Sequence, residues 1–146
     1  MILDTSFLID VMNADDAALE TVDEIEDDGL EQHVPAMTLQ ELFIGVGASD
    51  LPERERHKIE YVVESRPILP TTEEVARKAG RIEGTLRRQG ERIDVGDATI
   101  GATGVVHDEP VVTGNPNRFE QIPGLEVERY RSIAGTMVRQ PVNWRW

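Results

Sequence analysis

The chain contains no cysteine, which removes disulfides, thiolate metal sites and a cysteine nucleophile together and is compatible with a reducing compartment. Basic residues are scarce: 15 Lys and Arg stand against 28 Asp and Glu, giving a formal net charge of −13 and a pI near 4.6. Such a field opposes the approach of a polyanion unless salt screens it or a local basic patch overrides it, so taken alone it argues against RNA or DNA. A second cause fits equally well. Proteins adapted to high salt carry excess surface acid, the Debye length being about 3 Å at 1 M salt, and the run "DEIEDD" at Asp23 to Asp28 has this halophilic character. No apolar run approaches the roughly 18 residues of a membrane span, and no basic-then-apolar leader follows Met1, so a soluble, cytoplasmic protein without a membrane partner is expected. His33, His57 and His107 are scattered without ligand spacing, and no P-loop or GxGxxG is present, which leaves the histidines surface or core roles.

What is present alternates. The chain has 146 residues, enough for one domain with one real core. Met1 to Leu3 reads as a short strand, with Thr5 or Ser6 capping a helix from about Phe7. Ala18, Leu19, Val22 and Ile25 recur at helical spacing up to Gly29. "HVPAM" at His33 to Met37 reads as a strand, and "TLQE" at Thr38 to Glu41 as a capping box opening the next helix. A helix over Pro52 to Ser65, an extended "RPILP" and a helix carrying Val75, Ala79, Ile82 and Leu86 follow, closed by Gly90. "ATIGATGVV" after Asp97 is small and apolar nearly all round, as a buried helix would be, with Gly101 and Gly104 permitting close packing. "PVVTGN" and "LEVERY" read as two further strands. Strands alternating with helices argue a parallel sheet covered on both faces, with sites at the carboxyl ends of its strands. The tail after Tyr130, holding both tryptophans, departs from this alternation.

Three such junctions carry acids: Asp4 after the first strand, Glu41 after the second, and Asp94 with Asp97 before the buried helix. Each has an ordinary explanation. Glu41 could be the reciprocal partner in the Thr38 box, and Asp94 or Asp97 a helix cap contributing about 0.5–2 kcal/mol. Asp4 is harder to dismiss, because a carboxylate directly after a core strand is desolvated and needs a partner. If the strand ends converge, so do the oxygens, and hard oxygen donors of this kind suit Mg²⁺ or Mn²⁺ and phosphodiester hydrolysis.

Four blocks, "ILDTSFLID", "MTLQELFIGV", "IDVGDATIGATG" and "VVTGNPNRFEQIPGLEV", resemble in order and spacing the signature blocks of PIN-domain ribonucleases, and the size and layout resemble the VapC-type toxins of toxin–antitoxin pairs. The resemblance covers Met1 to about Val127. It implies an α/β, PIN-like three-layer fold over residues 1–130, with a central parallel sheet of four or five strands flanked by helices and a C-terminal extension, 131–146, of unassigned role. It implies a Mg²⁺- or Mn²⁺-dependent endoribonuclease with Asp4, Glu41 and Asp97 as catalytic and metal-binding acids, an RNA substrate, a cognate antitoxin and a homodimer. In many relatives a fourth acid occupies the slot held here by Asn115, which brings no charge; Asp94 is the candidate replacement. Thr113 commonly lies near that site, and Thr5 or Ser6 is expected to hold a water on the ion. Arg87, Arg88 and Arg92 in "RRQGER" are either a solvated helix end or a phosphate clamp. The alternative to an enzyme is a catalytically weak PIN-like module that binds RNA or a protein partner.

Overall fold

The computed structural model describes residues 1–130; the extension 131–146 lies outside the described residues. Five short parallel strands are laid down in the order β1 (Ile2–Leu3), β2 (Val34–Pro35), β3 (Ile68–Leu69), β4 (Val111–Thr113) and β5 (Val127–Arg129). β1 pairs with β4 and β4 with β5, while β2 pairs with β3; a parallel bridge from Ile2 to His33 joins the two groups. The spatial order is therefore β3-β2-β1-β4-β5, the five-stranded form of the expected sheet.

Alternation along these strands creates the two cores. Ile2 and Val111, opposite each other in register, join Val75, Ile82, Leu86, Ile100 and Phe119 on one face. Leu3 and Val112, the next pair, join Phe7, Leu8, Val34, Leu42 and Ile59 on the other. Helices α1 (Thr5–Met12), α2 (Asp16–Asp27), α3 (Ala36–Ala48) and α4 (Pro52–Val63) supply the second set, and α5 (Glu73–Arg88) and α6 (Val95–His107) the first.

The buried stripe of α5 is the expected one, and Thr72 caps it by accepting the Val75 N–H at 3.2 Å. The glycines of α6 allow the close approach anticipated: a Cβ on Gly104 would meet the Glu109 carbonyl at 2.9 Å. Two helix starts differ from expectation. α1 begins at Thr5, with Asp4 in the cap position. α3 begins at Ala36, so there is no capping box; the Thr38 hydroxyl instead donates to the Leu3 carbonyl at 3.0 Å and Glu41 falls in the second turn. The physical reason is that a buried strand-end carbonyl needs a donor, and Thr38 ties α3 to the end of β1, beside Asp4.

Candidate active site

Asp4 leaves the carboxyl end of β1 at only 2% exposure. It occupies the cap position of α1 without using its side chain as a cap. Its Oδ2 accepts the Ser6 hydroxyl and the Thr113 hydroxyl, each at 2.7 Å. Both protons are aimed by backbone: the Gly114 N–H donates to Ser6 Oγ at 3.3 Å and the Asn115 N–H to Thr113 Oγ1 at 2.9 Å. The turn after β4 thus fixes the orientation of the carboxylate at the end of β1. Asp4 Oδ1 takes no hydrogen bond from the described residues, yet no buried side-chain oxygen among them is sealed away unpaired. That oxygen is left accessible to an incoming group.

Glu41 projects from α3 and accepts the Thr5 hydroxyl on Oε1 at 2.9 Å. Its carboxylate lies against the bare Cα of Gly96, where an added Cβ would meet Oε2 at 3.0 Å. Gly96 is therefore a close-approach glycine, and it brings Glu41 to the start of α6 next to Asp97.

Asp97 is in the first turn of α6 and 6% exposed. A helix N-terminus favours a carboxylate, but here burial prevails. Desolvation first, then the charges of Asp4, Glu41 and Asp94, push its carboxyl up to about 7 against the partial relief of Arg118. Four acids therefore act on one cleft. Asp94 stands at the mouth, exposed, in the cap position of α6 but making no side-chain cap. The convergence is electrostatic rather than a closed cage. Among the described residues no group of three or more acidic or histidine side chains stands ready to hold a metal. The donor set nonetheless suits Mg²⁺ or Mn²⁺, which take only oxygen donors and need one or two carboxylates with water filling the rest.

Thr5, Ser6 and Thr113 all join the constellation. Asn115 contributes its backbone N–H and begins the turn Pro116–Arg118. Of the three arginines singled out, Arg92 lines the cleft beside Asp94 and Asp97. Arg87 is exposed and paired with Glu83 at 2.9 Å, and Arg88 is exposed at the end of α5. His33 is held between Glu31 and Glu109, each at 2.9 Å, away from the acids, and His57 and His107 are exposed, in keeping with structural or surface roles.

Comparison with known proteins gives this geometry a family. A model described as PIN domain matches residues 1–125. The chain belongs to the PIN-domain family. Within it, the chain is 30% identical over 125 residues to ribonuclease VapC19 of Mycobacterium tuberculosis, covering 86% of this chain and 96% of that protein. It is 32% identical over 95 residues to the tRNA(fMet)-specific endonuclease VapC of Shigella flexneri, covering 65% of this chain and 72% of that one. This chain is thus a PIN domain of the VapC type. Among solved structures, DNA-bound VapBC of Salmonella typhimurium superposes with a TM-score of 0.79 at 26% identity, over 88% of this chain and 96% of that one. VapBC2 of Rickettsia felis bound to a promoter DNA fragment superposes at 0.82 and 21% identity, over 89% and 98%, a likeness of fold.

Two residues of the candidate site, and a third packed behind it, escaped sequence reasoning. Arg118, exposed in the turn after β4, is the cation that acts on Asp97; "NPNR" following a strand that ends in the site was the available signal. Gly96 carried none, because its role depends on Glu41 from another helix. Tyr130, at the end of β5, packs edge-on against Phe7 at 5.0 Å and donates its hydroxyl to Asp10. Burial holds the Tyr130 hydroxyl far above its ordinary range, and the Asp10 carboxyl is raised chiefly by burial, against the Tyr130 hydrogen bond.

Proposed function

We propose that this chain is a Mg²⁺- or Mn²⁺-dependent endoribonuclease and the toxin of a toxin–antitoxin pair. The observation that carries the reading is the joint action of Asp4, Glu41 and Asp94 on the buried Asp97 at the carboxyl ends of a parallel sheet. Asp4, Glu41 and Asp97 would hold the ion, with Asp94 as an outer acid in place of the charge that Asn115 lacks. When bound, such an ion supplies an activated water and neutralises charge on the leaving oxygen. The rest falls to the chain. Ser6 and Thr113 hold Asp4 in one orientation, Thr5 holds Glu41, and Arg92 draws an RNA phosphate toward an otherwise repulsive surface, with Arg88 adding charge at the end of α5, where Arg87 is already paired with Glu83. Water adds to phosphorus and the bond to the 3′-oxygen breaks; the 2′-hydroxyl takes no part, and the product carries a 3′-hydroxyl.

The partner proposed is a cognate antitoxin that places an Arg or Lys among Asp4, Glu41 and Asp97, where a fixed cation relieves the repulsion an ion would otherwise relieve. Pairing of two copies, with localisation in the cytoplasm, completes the reading. The competing view, a PIN module that binds without cleaving, is favoured by the net charge of −13 and by the uncharged Asn115. Titration of Mg²⁺ and Mn²⁺ into purified protein with structured RNA, followed by analysis of the product ends, separates the two. Metal-dependent cuts with 3′-hydroxyl ends support the enzyme; a 2′,3′-cyclic phosphate, or binding without cuts at any metal concentration, defeats it.

A further inference from the structure

Beside Asp97 opens a cavity of about 290 Å³ lined by Arg92, Asp94, Asn117, Arg118 and Gln121 along with Ile93. Its walls come from different places in the chain. Arg92 precedes α6, whereas Asn117, Arg118 and Gln121 follow β4, and the Gln121 amide donates to the Arg92 carbonyl at 3.3 Å to tie them together. The state of the cations matters. Arg56, Lys58, Arg77 and Arg87 are each engaged by a helix neighbour one turn away, whereas the side chains of Arg54, Lys78, Arg81, Arg88 and Arg129 make no hydrogen bond or ion pair among the described residues. The guanidinium groups of Arg92 and Arg118 make no hydrogen bond or ion pair among the described residues. What sets Arg92 and Arg118 apart on a chain of charge −13 is their place beside the acidic site. Arg118 acts on Asp97 at longer range, and two guanidiniums held by no ion pair face one cavity that Asp97 also lines, where a polyanion finds local attraction. The Asn117 side chain is likewise unbonded among the described residues, and each carboxamide in the wall offers both a donor and an acceptor.

We infer that this cavity is a one-nucleotide subsite for single-stranded RNA: Arg92 and Arg118 hold the phosphate next to the one being cut, and Asn117 and Gln121 read the edge of its base. The volume is at the small end of ligand pockets, enough for one splayed nucleotide and too little for a duplex. Unstacked bases are recognised in this manner, by hydrogen bonds to their edges, while the phosphate contacts set register without reading sequence. The inference rests on the reading of the chain as a ribonuclease and adds to it a place where base preference arises.

The test measures binding in an Asp4→Asn background, in EDTA, by fluorescence anisotropy with labelled poly(A), poly(C) and poly(U) of equal length. Arg92→Ala and Arg118→Ala are each expected to weaken all three by roughly ten-fold and to lower the salt slope by about 0.7. Asn117→Ala combined with Gln121→Ala should leave that slope intact and bring the three affinities together. Arg77→Ala, which removes an exposed cation elsewhere, serves as the control and should change nothing. Unaltered binding in both cleft arginine variants, an equal loss in Arg77→Ala, or a base preference that survives the double substitution would each overturn the subsite. Failure of the ribonuclease reading shows separately, as wild-type protein that binds these RNAs and does not cut RNA in Mg²⁺.

Discussion

Removing the charge of Asp97 should stabilise the metal-free protein, and only above acid pH. The native carboxyl titrates at about 7 against an ordinary value of 3.8, so the native state keeps a proton that the unfolded chain has released. Its contribution is fully present below about pH 3.8 and is lost as pH rises to about 7. The displacement corresponds at face value to about 4 kcal/mol. The cleft is open to water, and screening reduces this to about 2 kcal/mol. Asp97→Asn keeps the shape without the charge, so in EDTA its melting temperature should match wild type near pH 4. The two should diverge between pH 4 and 7, and the variant should lead by about 5 °C at pH 8. Scanning calorimetry on both proteins across that range is the assay, and the difference between them removes the titration of all other groups. With Mn²⁺ at pH 8 the order should reverse, since the ion stabilises only the protein that binds it. A difference independent of pH, or a variant less stable at pH 8 in EDTA, would refute the claim that crowded, buried charge sets the energetics of this cleft.

Gly96→Ala should place a methyl against Glu41 Oε2, lowering cleavage by at least about ten-fold while leaving stability unchanged or up to about 1 kcal/mol higher, since alanine is the better helix former; paired melting and cleavage assays show whether the two separate. Thr113→Val takes one of the two hydroxyls from Asp4 Oδ2 and should cost about 1–3 kcal/mol in stability along with most of the activity, by urea titration and RNA cleavage. If the acid excess is a salt adaptation, the melting temperature should rise and cleavage should peak at elevated salt between about 0.1 and 3 M KCl, a range that takes the Debye length from about 10 Å to below 3 Å; a flat or falling melting temperature with activity greatest at low salt would assign RNA capture to local arginines instead.

How much was legible divides along a physical line. Where a pattern lies within one element it was readable: the stripe Val75, Ala79, Ile82 and Leu86 specifies α5 because helical spacing alone decides which side chains share a face. Asp4 was readable for a similar reason, since the alternation of strand and helix puts it at the carboxyl end of β1; Asp97 follows α5 with no strand between, and its arrival beside Asp4 depends on how α6 packs. What depends on another element was not. Thr38 looks like a cap by its spacing to Glu41, and only the nearness of the Leu3 carbonyl shows that tertiary contact outcompetes the local motif. Arg118 and Arg92 lie 26 positions apart in sequence and meet across one cavity because α6 packs on β4 and Gln121, beyond β4, is tied to the Arg92 carbonyl just before α6. Nothing local separates Arg92, which lines the cleft, from Arg87, which pairs with Glu83 along its own helix.

The central claim is that Asp4, Glu41 and Asp97 form one catalytic metal site. Cleavage of structured RNA by wild type, Asp4→Asn and Asp97→Asn, each shown to be folded by circular dichroism and assayed across a Mg²⁺ titration, tests it most directly. Metal-dependent cleavage by the wild type and none by either variant is the predicted result; undiminished cleavage by both variants would contradict it.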